Sequence, residues 1–248
     1  MDAARYHEHY LLQASWLGPA RRILFRRAGL AGRERVLDLG CGSGVIAEEM
    51  RLLRGGPVLA VDRDRELLAF ARRRYPGNEY LEGDERLLLK RGRRFDLIVL
   101  SFVLMWQARP LAFLKRARRL LDAGGVLLLL AEPDYGGRLD HPPGLDILKE
   151  IYAGHVRREG GNPDIGRRLG PLLDRAGFAA DIELAGCLHR PRGPLGPEWE
   201  REWRFWQELA GLDEAERARR LAVEKKAVAR GERLVLFPVF CALARPRP

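Results

Sequence analysis

Three carboxylates and three glycines carry the most legible chemistry in this chain. Asp38 stands just ahead of Gly40, Gly42 and Gly44, and Asp62 follows 22 positions after Gly40. Asp84 closes a third short segment, 79–84. Val36, Leu37 and Leu39 are strand formers, whereas glycine at alternate positions is unsuited to a helix or an ordinary strand. Ser43 is a candidate N-cap for a helix that begins at Val45, with Glu48 and Glu49 close behind. The stretch therefore reads as a buried strand, a glycine loop and a helix start. The missing Cβ atoms let a ligand lie against the main chain at the carboxyl edge of a parallel sheet. A dinucleotide loop would need its third glycine at position 45, which is valine. Asp38 would also repel a pyrophosphate, while it would attract a cation.

The string Val36-Leu37-Asp38-Leu39-Gly40-Cys41-Gly42-Ser43-Gly44 closely resembles the first motif of class I S-adenosylmethionine-dependent methyltransferases. That cofactor has no phosphate, and it carries an ammonium and a sulfonium beside its carboxylate. The resemblance implies that Asp38, Gly40, Cys41, Gly42 and Gly44 surround its methionine part. Asp62, at a second strand tip, is suited to both ribose hydroxyls. Its alternative role is a helix cap, for which Asp64 is the better candidate. Arg63 then lies near the adenine edge. The family places an acid in its third motif, which implies that Asp84 accepts the adenine amino group, with main-chain contacts from Glu85 and Arg86. The apolar run 95–102 resembles the fourth motif, and its tip brings Ser101, Phe102 and Trp106 beside the cofactor. Asp96 sits at the wrong end of that strand for catalysis and reads as structural. S-adenosylhomocysteine is the product this implies.

Strand and helix patterns alternate five times through residue 133, which predicts a doubly wound parallel sheet with right-handed crossovers. The expected fold is an α/β, seven-stranded, mostly parallel sheet of the Rossmann-like methyltransferase type. Strands over 181–189 and 233–244 form its last pair, the final one antiparallel as in the family, with Pro238 at a bulge or edge. The expectation is one methyltransferase domain over 1–248, with an N-terminal helical cap (1–30) and helical lid insertions (134–160 and 196–230). Residues 3–28 read as two helices broken at Gly18-Pro19. Tyr6, Tyr10, Gln13 and Leu17 share a helical face, either a packing stripe or, as the resemblance implies for the tyrosines, a cover over the cofactor. Trp199, Trp203 and Trp206 repeat on one face of a long helical segment. That face is either core packing or, together with Tyr135 and Trp106, part of an aromatic acceptor pocket.

The acceptor side is less legible. Weak candidates for a base are His141, His155, Asp134 and Glu132. Asp134 and Asp140 have no metal-ligand spacing, so no metal is expected. The three cysteines (Cys41, Cys187, Cys241) form no disulfide framework. No signal-peptide core and no apolar run near the ~20 residues of a membrane helix is present, so a cytoplasmic protein without membrane insertion is expected. The net charge is +10, mostly from arginine. It permits a nucleic-acid partner, but the basic pairs are scattered over many segments, as on solvated helix faces. The expected acceptor is a small organic molecule, in the manner of bacterial quinone- and natural-product-modifying methyltransferases. An RNA (tRNA or rRNA) or protein methyltransferase is the alternative. No Asn-Pro-Pro-Tyr motif, and no cysteine near 95–133 that would attack a pyrimidine, supports RNA. A cofactor-binding protein without catalysis is a third reading.

Overall fold

The computed structural model describes residues 2–185, 188, 189, 191 and 196–247. Helices α1 (Ala3–Trp16) and α2 (Gly18–Arg27) open the chain. Strands and helices then alternate: β1 (Val36–Leu39), α3 (Val45–Arg54), β2 (Leu59–Asp62), α4 (Arg65–Arg74), β3 (Glu79–Glu82), α5 (Glu85–Lys90), β4 (Phe95–Ser101), α6 (Pro110–Arg119) and β5 (Leu121–Pro133). After β5 come β6 (Leu139–His141), α7 (Ile147–Arg158), α8 (Leu169–Arg175), β7 (Phe178–Leu184) and β8 (Leu188–His189). The chain ends with α9 (Pro197–Ala210), α10 (Glu214–Ala229), β9 (Leu234–Leu236) and β10 (Val239–Pro246).

Among the described residues, seven strands form one sheet in the order β3-β2-β1-β4-β5-β10-β7. The pairs from β3 to β5 are parallel, and β10 runs antiparallel between β5 and β7. The order reverses direction at β1 and β4, and their carboxyl tips open into a crevice there, where ligands bind in such sheets. β1 is buried at every position, and Leu97, Ile98, Val99 and Leu100 of β4 are fully buried. This is why both read as continuous apolar runs.

The expected last pair of strands is present, but each is shorter than the sequence suggested. Residues 181–189 do not make one strand. β7 stops at Leu184, and β8 joins β6 and β9 in a separate antiparallel sheet ordered β6-β9-β8. Residues 233–244 split in the same way, around Pro238. Proline has no N–H for a ladder, and its carbonyl accepts instead from the backbone N–H of Asp134 at 2.9 Å. The long helical segment also divides: α9 ends at Gly211, which takes a left-handed φ of 65°, and Asp213 caps α10 by accepting from Glu216 N–H at 2.8 Å.

A buried ionic cluster ties α9 and α10 to the small antiparallel sheet. Arg233, 1% exposed, donates to Asp140 and Glu224, each at 2.7 Å. Asp140 also pairs with Arg138 at 2.7 Å, and Glu224 accepts from Trp203 Nε1 at 2.5 Å. Removing Arg233 leaves the buried Glu224 carboxylate without a cation and Asp140 with Arg138 alone, so Arg233→Met should cost about 3–5 kcal/mol. Urea denaturation checks this. A loss below ~1 kcal/mol would show that the cluster does not anchor these helices.

Candidate active site

The glycine loop is shaped by close approaches from two sides. Gly40 has φ 84°, and a Cβ there would stand 2.6 Å from Val103 Cγ2. Gly42 has φ 52°, and its Cβ would stand 2.9 Å from the Tyr10 ring. Side chains at either place are barred by backbone conformation and by space. Gly44, φ 81°, caps α3 through its left-handed backbone and lies outside the cavity wall. The capping role expected of Ser43 is therefore corrected. Its hydroxyl is fully buried and bonds His7 Nδ1 at 2.9 Å, which ties α1 to the loop.

Asp38 is the penultimate residue of the buried strand β1, with 1% exposure. It accepts from the Ala47 N–H, while its Oδ2 has no partner. Burial, and then the charge of Asp62, push its carboxyl up to about 7. A buried acid with an open oxygen needs a cation, or a proton in its place. Asp62 accepts from Gly42 N–H at 2.8 Å and from Asp64 N–H at 3.0 Å, so the acid at the β2 tip also fixes the loop. Asp64 caps α4 as expected. Asp84 caps α5 through one oxygen, accepting from Arg86 and Leu87 N–H. The Arg86 N–H expected to meet a ligand is thus already donating to Asp84. The Glu85 carboxylate is held by Arg116 at 2.7 Å.

These residues line one cavity of about 690 Å³. Tyr10, Asp38, Gly40, Cys41, Gly42, Asp62, Arg63, Asp84, Glu85, Ser101 and Phe102 all border it. Phe102 holds φ 55°, uncommon for a residue with a side chain. Its N–H donates to Ala131 O at 2.7 Å, which fixes this bend at the β4 tip. The whole α1 face of Tyr6, Tyr10, Gln13 and Leu17 lies along the wall.

Beyond the loop the wall becomes aromatic. Trp106, Tyr135, Tyr152, His155 and Phe205 line it. His9 stacks on Phe205 with centroids 4.0 Å apart, and Tyr152 stacks on Tyr135 at 5.3 Å. Burial pushes His9 down to about 3, so it is neutral. His9, Tyr152 and Phe205 were not singled out from the sequence. His9 is next to Tyr10, and Phe205 is next to Trp206, but helical spacing alone does not say which side of an aromatic helix faces a cavity. The tryptophan face proves to be the packing face. Trp203 is buried against Glu224, and neither it nor Trp199 borders the cavity.

The candidate bases separate cleanly. Glu132 is fully buried and accepts from the N–H groups of Val103, Leu104 and Met105, with its carboxyl pushed up to about 8 by burial. It ties the β5 tip to the chain after β4. Asp134 is paired with Arg167 at 2.6 Å, and His141 lies on β6, both outside the cavity wall. His155 borders the cavity, with Trp106 edge-on at 6.1 Å. Burial lowers its pKa below the ordinary 6.5.

The unpaired acid at a Cβ-free loop suits a cationic amino acid moiety, with Asp62 and Asp84 placed for a nucleoside. Residues 37–129 match a family model described as a methyltransferase domain. The chain carries a methyltransferase domain of the class I S-adenosylmethionine-dependent type. A trans-aconitate 2-methyltransferase from Methylobacterium nodulans is 29% identical over 90% of each chain. A probable S-adenosylmethionine-dependent methyltransferase from Mycobacterium tuberculosis is 32% identical over 71% of this chain. The alignment spans 60% of that protein, and about half of some other curated relatives. The plantazolicin methyltransferase, solved with S-adenosylhomocysteine, shares the fold at a TM-score of 0.60, with 10% identity over 98% of this chain and 89% of its own. S-adenosylmethionine is the cofactor of the methyltransferase.

A carboxyl whose folded pKa is raised favours the folded state at low pH. Without ligand, that contribution from Asp38 is full below about 4 and is lost as pH rises through about 7. A cationic ligand needs the ionised form. Affinity for S-adenosylhomocysteine should therefore fall toward tenfold per pH unit below about 7, and Asp38→Asn should remove that slope. The variant should also weaken binding at pH 8 by roughly tenfold to a hundredfold. Titration calorimetry across pH 5.5–8.5 decides; an unchanged slope would sink the assignment.

Proposed function

We propose that this methyltransferase moves a methyl group from S-adenosylmethionine to a small organic acceptor. The observation that carries the reading is the continuous wall, from the glycine loop to the aromatic residues of α1, α7 and α9, around a cavity of small-molecule size. These helices act as a lid. Bound S-adenosylmethionine supplies a methyl group already activated on a sulfonium. The chain then has to supply alignment and exclusion of water. Tyr10 and the Gly40–Gly42 turn hold the donor end. Tyr135, Tyr152 and Phe205 orient a planar acceptor over it.

His155 is the base. It is neutral at pH 7, so a ring nitrogen is free to take the proton of an acceptor hydroxyl as the new bond forms in line. Asp134, Glu132 and His141 are excluded from that role by their partners or their positions. The small-molecule reading also agrees with the names of several relatives, including the trans-aconitate enzyme. The +10 charge would favour a polyanionic acceptor such as RNA.

Incubation with methyl-labelled cofactor and fractionated cell extract tests the class, with label expected in the small-molecule fraction. Label in RNA or protein instead would overturn the reading. For the base, His155→Ala should lower kcat by about 10²–10⁴ with cofactor affinity unchanged. The wild-type rate should fall as pH drops below 6.5, through the lowered pKa of His155, and this acid limb should vanish in the variant. A retained limb would assign the proton to another group.

A further inference from the structure

We infer that the acceptor carries no anionic group, and that Glu159 at the rim of the cavity makes the site select against carboxylated molecules. The inference rests on the methyltransferase reading and concerns only the acceptor half of the cavity. That half is built from α7, α9 and the segments after β4 and β5. Among the described residues lining it, none is lysine or arginine, and the formal charge present is that of Glu159.

The histidines do not supply the missing positive charge. His9 is pushed down to about 3 and His155 is lowered, both by burial, so both are neutral at pH 7. Nearby arginines are committed elsewhere. Arg138 pairs with Asp140 and stacks over Trp206 and Phe237, while Arg158 donates to Leu209 O at 2.9 Å. Arg21, on the cofactor side, is held by Glu49 and Ala14 O.

The field of Glu159 reaches into the chamber. Its charge adds to burial in raising the Tyr6 hydroxyl, and it opposes burial at His155. A carboxylate brought between Tyr6 and His155 would meet this like charge and would lose its water, with only the more weakly felt charge of Arg158, held outside the wall on Leu209 O, to oppose it. A neutral aromatic acceptor meets neither cost and gains contact with the aromatic wall that includes Tyr152 and Phe205. The His9 Nδ1, buried and without a partner, offers such a molecule one polar contact.

The test passes a cell extract over an anion-exchange resin at pH 8. The neutral and cationic flow-through and the anionic eluate are then offered separately to the protein with methyl-labelled S-adenosylmethionine. Trans-aconitate, a tricarboxylate, serves as a defined probe. Flow-through should accept at least tenfold more label than eluate, and trans-aconitate should accept none. Glu159→Lys should shift the ratio toward the eluate by about tenfold, and Glu159→Gln by less; the second variant covers a folding failure of the first. Label confined to the eluate, methylation of trans-aconitate, or an unmoved ratio in both variants would overturn the inference while leaving the methyltransferase reading in place. If both fractions stay unlabelled while S-adenosylhomocysteine still binds in calorimetry, the small-molecule reading falls and the inference falls with it.

Discussion

A carboxylate without a counter-charge sits at the centre of this molecule. Asp38 is held by the buried strand β1 at 1% exposure, one oxygen bound by a backbone amide and the other open. Water does not reach it, and no cation of the described chain pairs with it. The surrounding architecture follows from that constraint. The loop that passes the acid has glycine at Gly40 and Gly42, because a ligand, Val103 and Tyr10 must all come within contact of its backbone. Asp62 fixes the loop from the neighbouring strand by accepting the Gly42 amide. Glu132 does similar work on the other side, gathering three consecutive amides of the chain that leaves β4. Acids at the tips of β2, β1 and β5 thus build the crevice on both sides of β4 and β1 before any ligand enters it.

The part of the site that was legible in the sequence is the part governed by strand tips. An apolar run with an acid at its end has one placement in a parallel sheet, so Asp38, Asp62 and Asp84 came out on the same edge. The capping side of these acids was less visible. Asp84 reads as a ligand acid, yet it also starts α5, because an Asp before a short helix can serve both through its two oxygens. Ser43 was misread for the opposite reason. A serine before a helix looks like a cap, and only its burial beneath His7 shows that α1 has claimed the hydroxyl.

The acceptor side was illegible because helix periodicity names a face without naming what it faces. Trp199, Trp203 and Trp206 form the larger apolar stripe of α9, and Trp203 and Trp206 went to the core while Trp199 stayed half-buried. The cavity took the flank of the same helix, Phe205 and Leu209. The small antiparallel sheet escaped for a related reason. Each of its strands is two or three residues long and continues, in sequence, a strand or loop of the main sheet. Its position depends on Arg233 reaching Asp140 and Glu224 across 93 and 9 residues, which no local pattern encodes.

Net charge misleads here in an instructive way. The chain is strongly basic, but most of its arginines are spent on the outside: on helix carboxyl ends, on neighbouring glutamates and on stray carbonyls. The cavity wall has the opposite balance, with six acids (Asp38, Asp62, Asp64, Asp84, Glu85 and Glu159) against three arginines (Arg21, Arg63 and Arg86), all three on the cofactor side. A sulfonium donor explains most of that sign, since charge near the loop must complement a cation. The same sign then reaches the acceptor, because both reactants share one cavity. A site built to attract a positive donor repels a negative partner unless a cation is placed beside it. Selectivity against anionic acceptors is in this sense a by-product of donor binding, to which Glu159 adds at the rim.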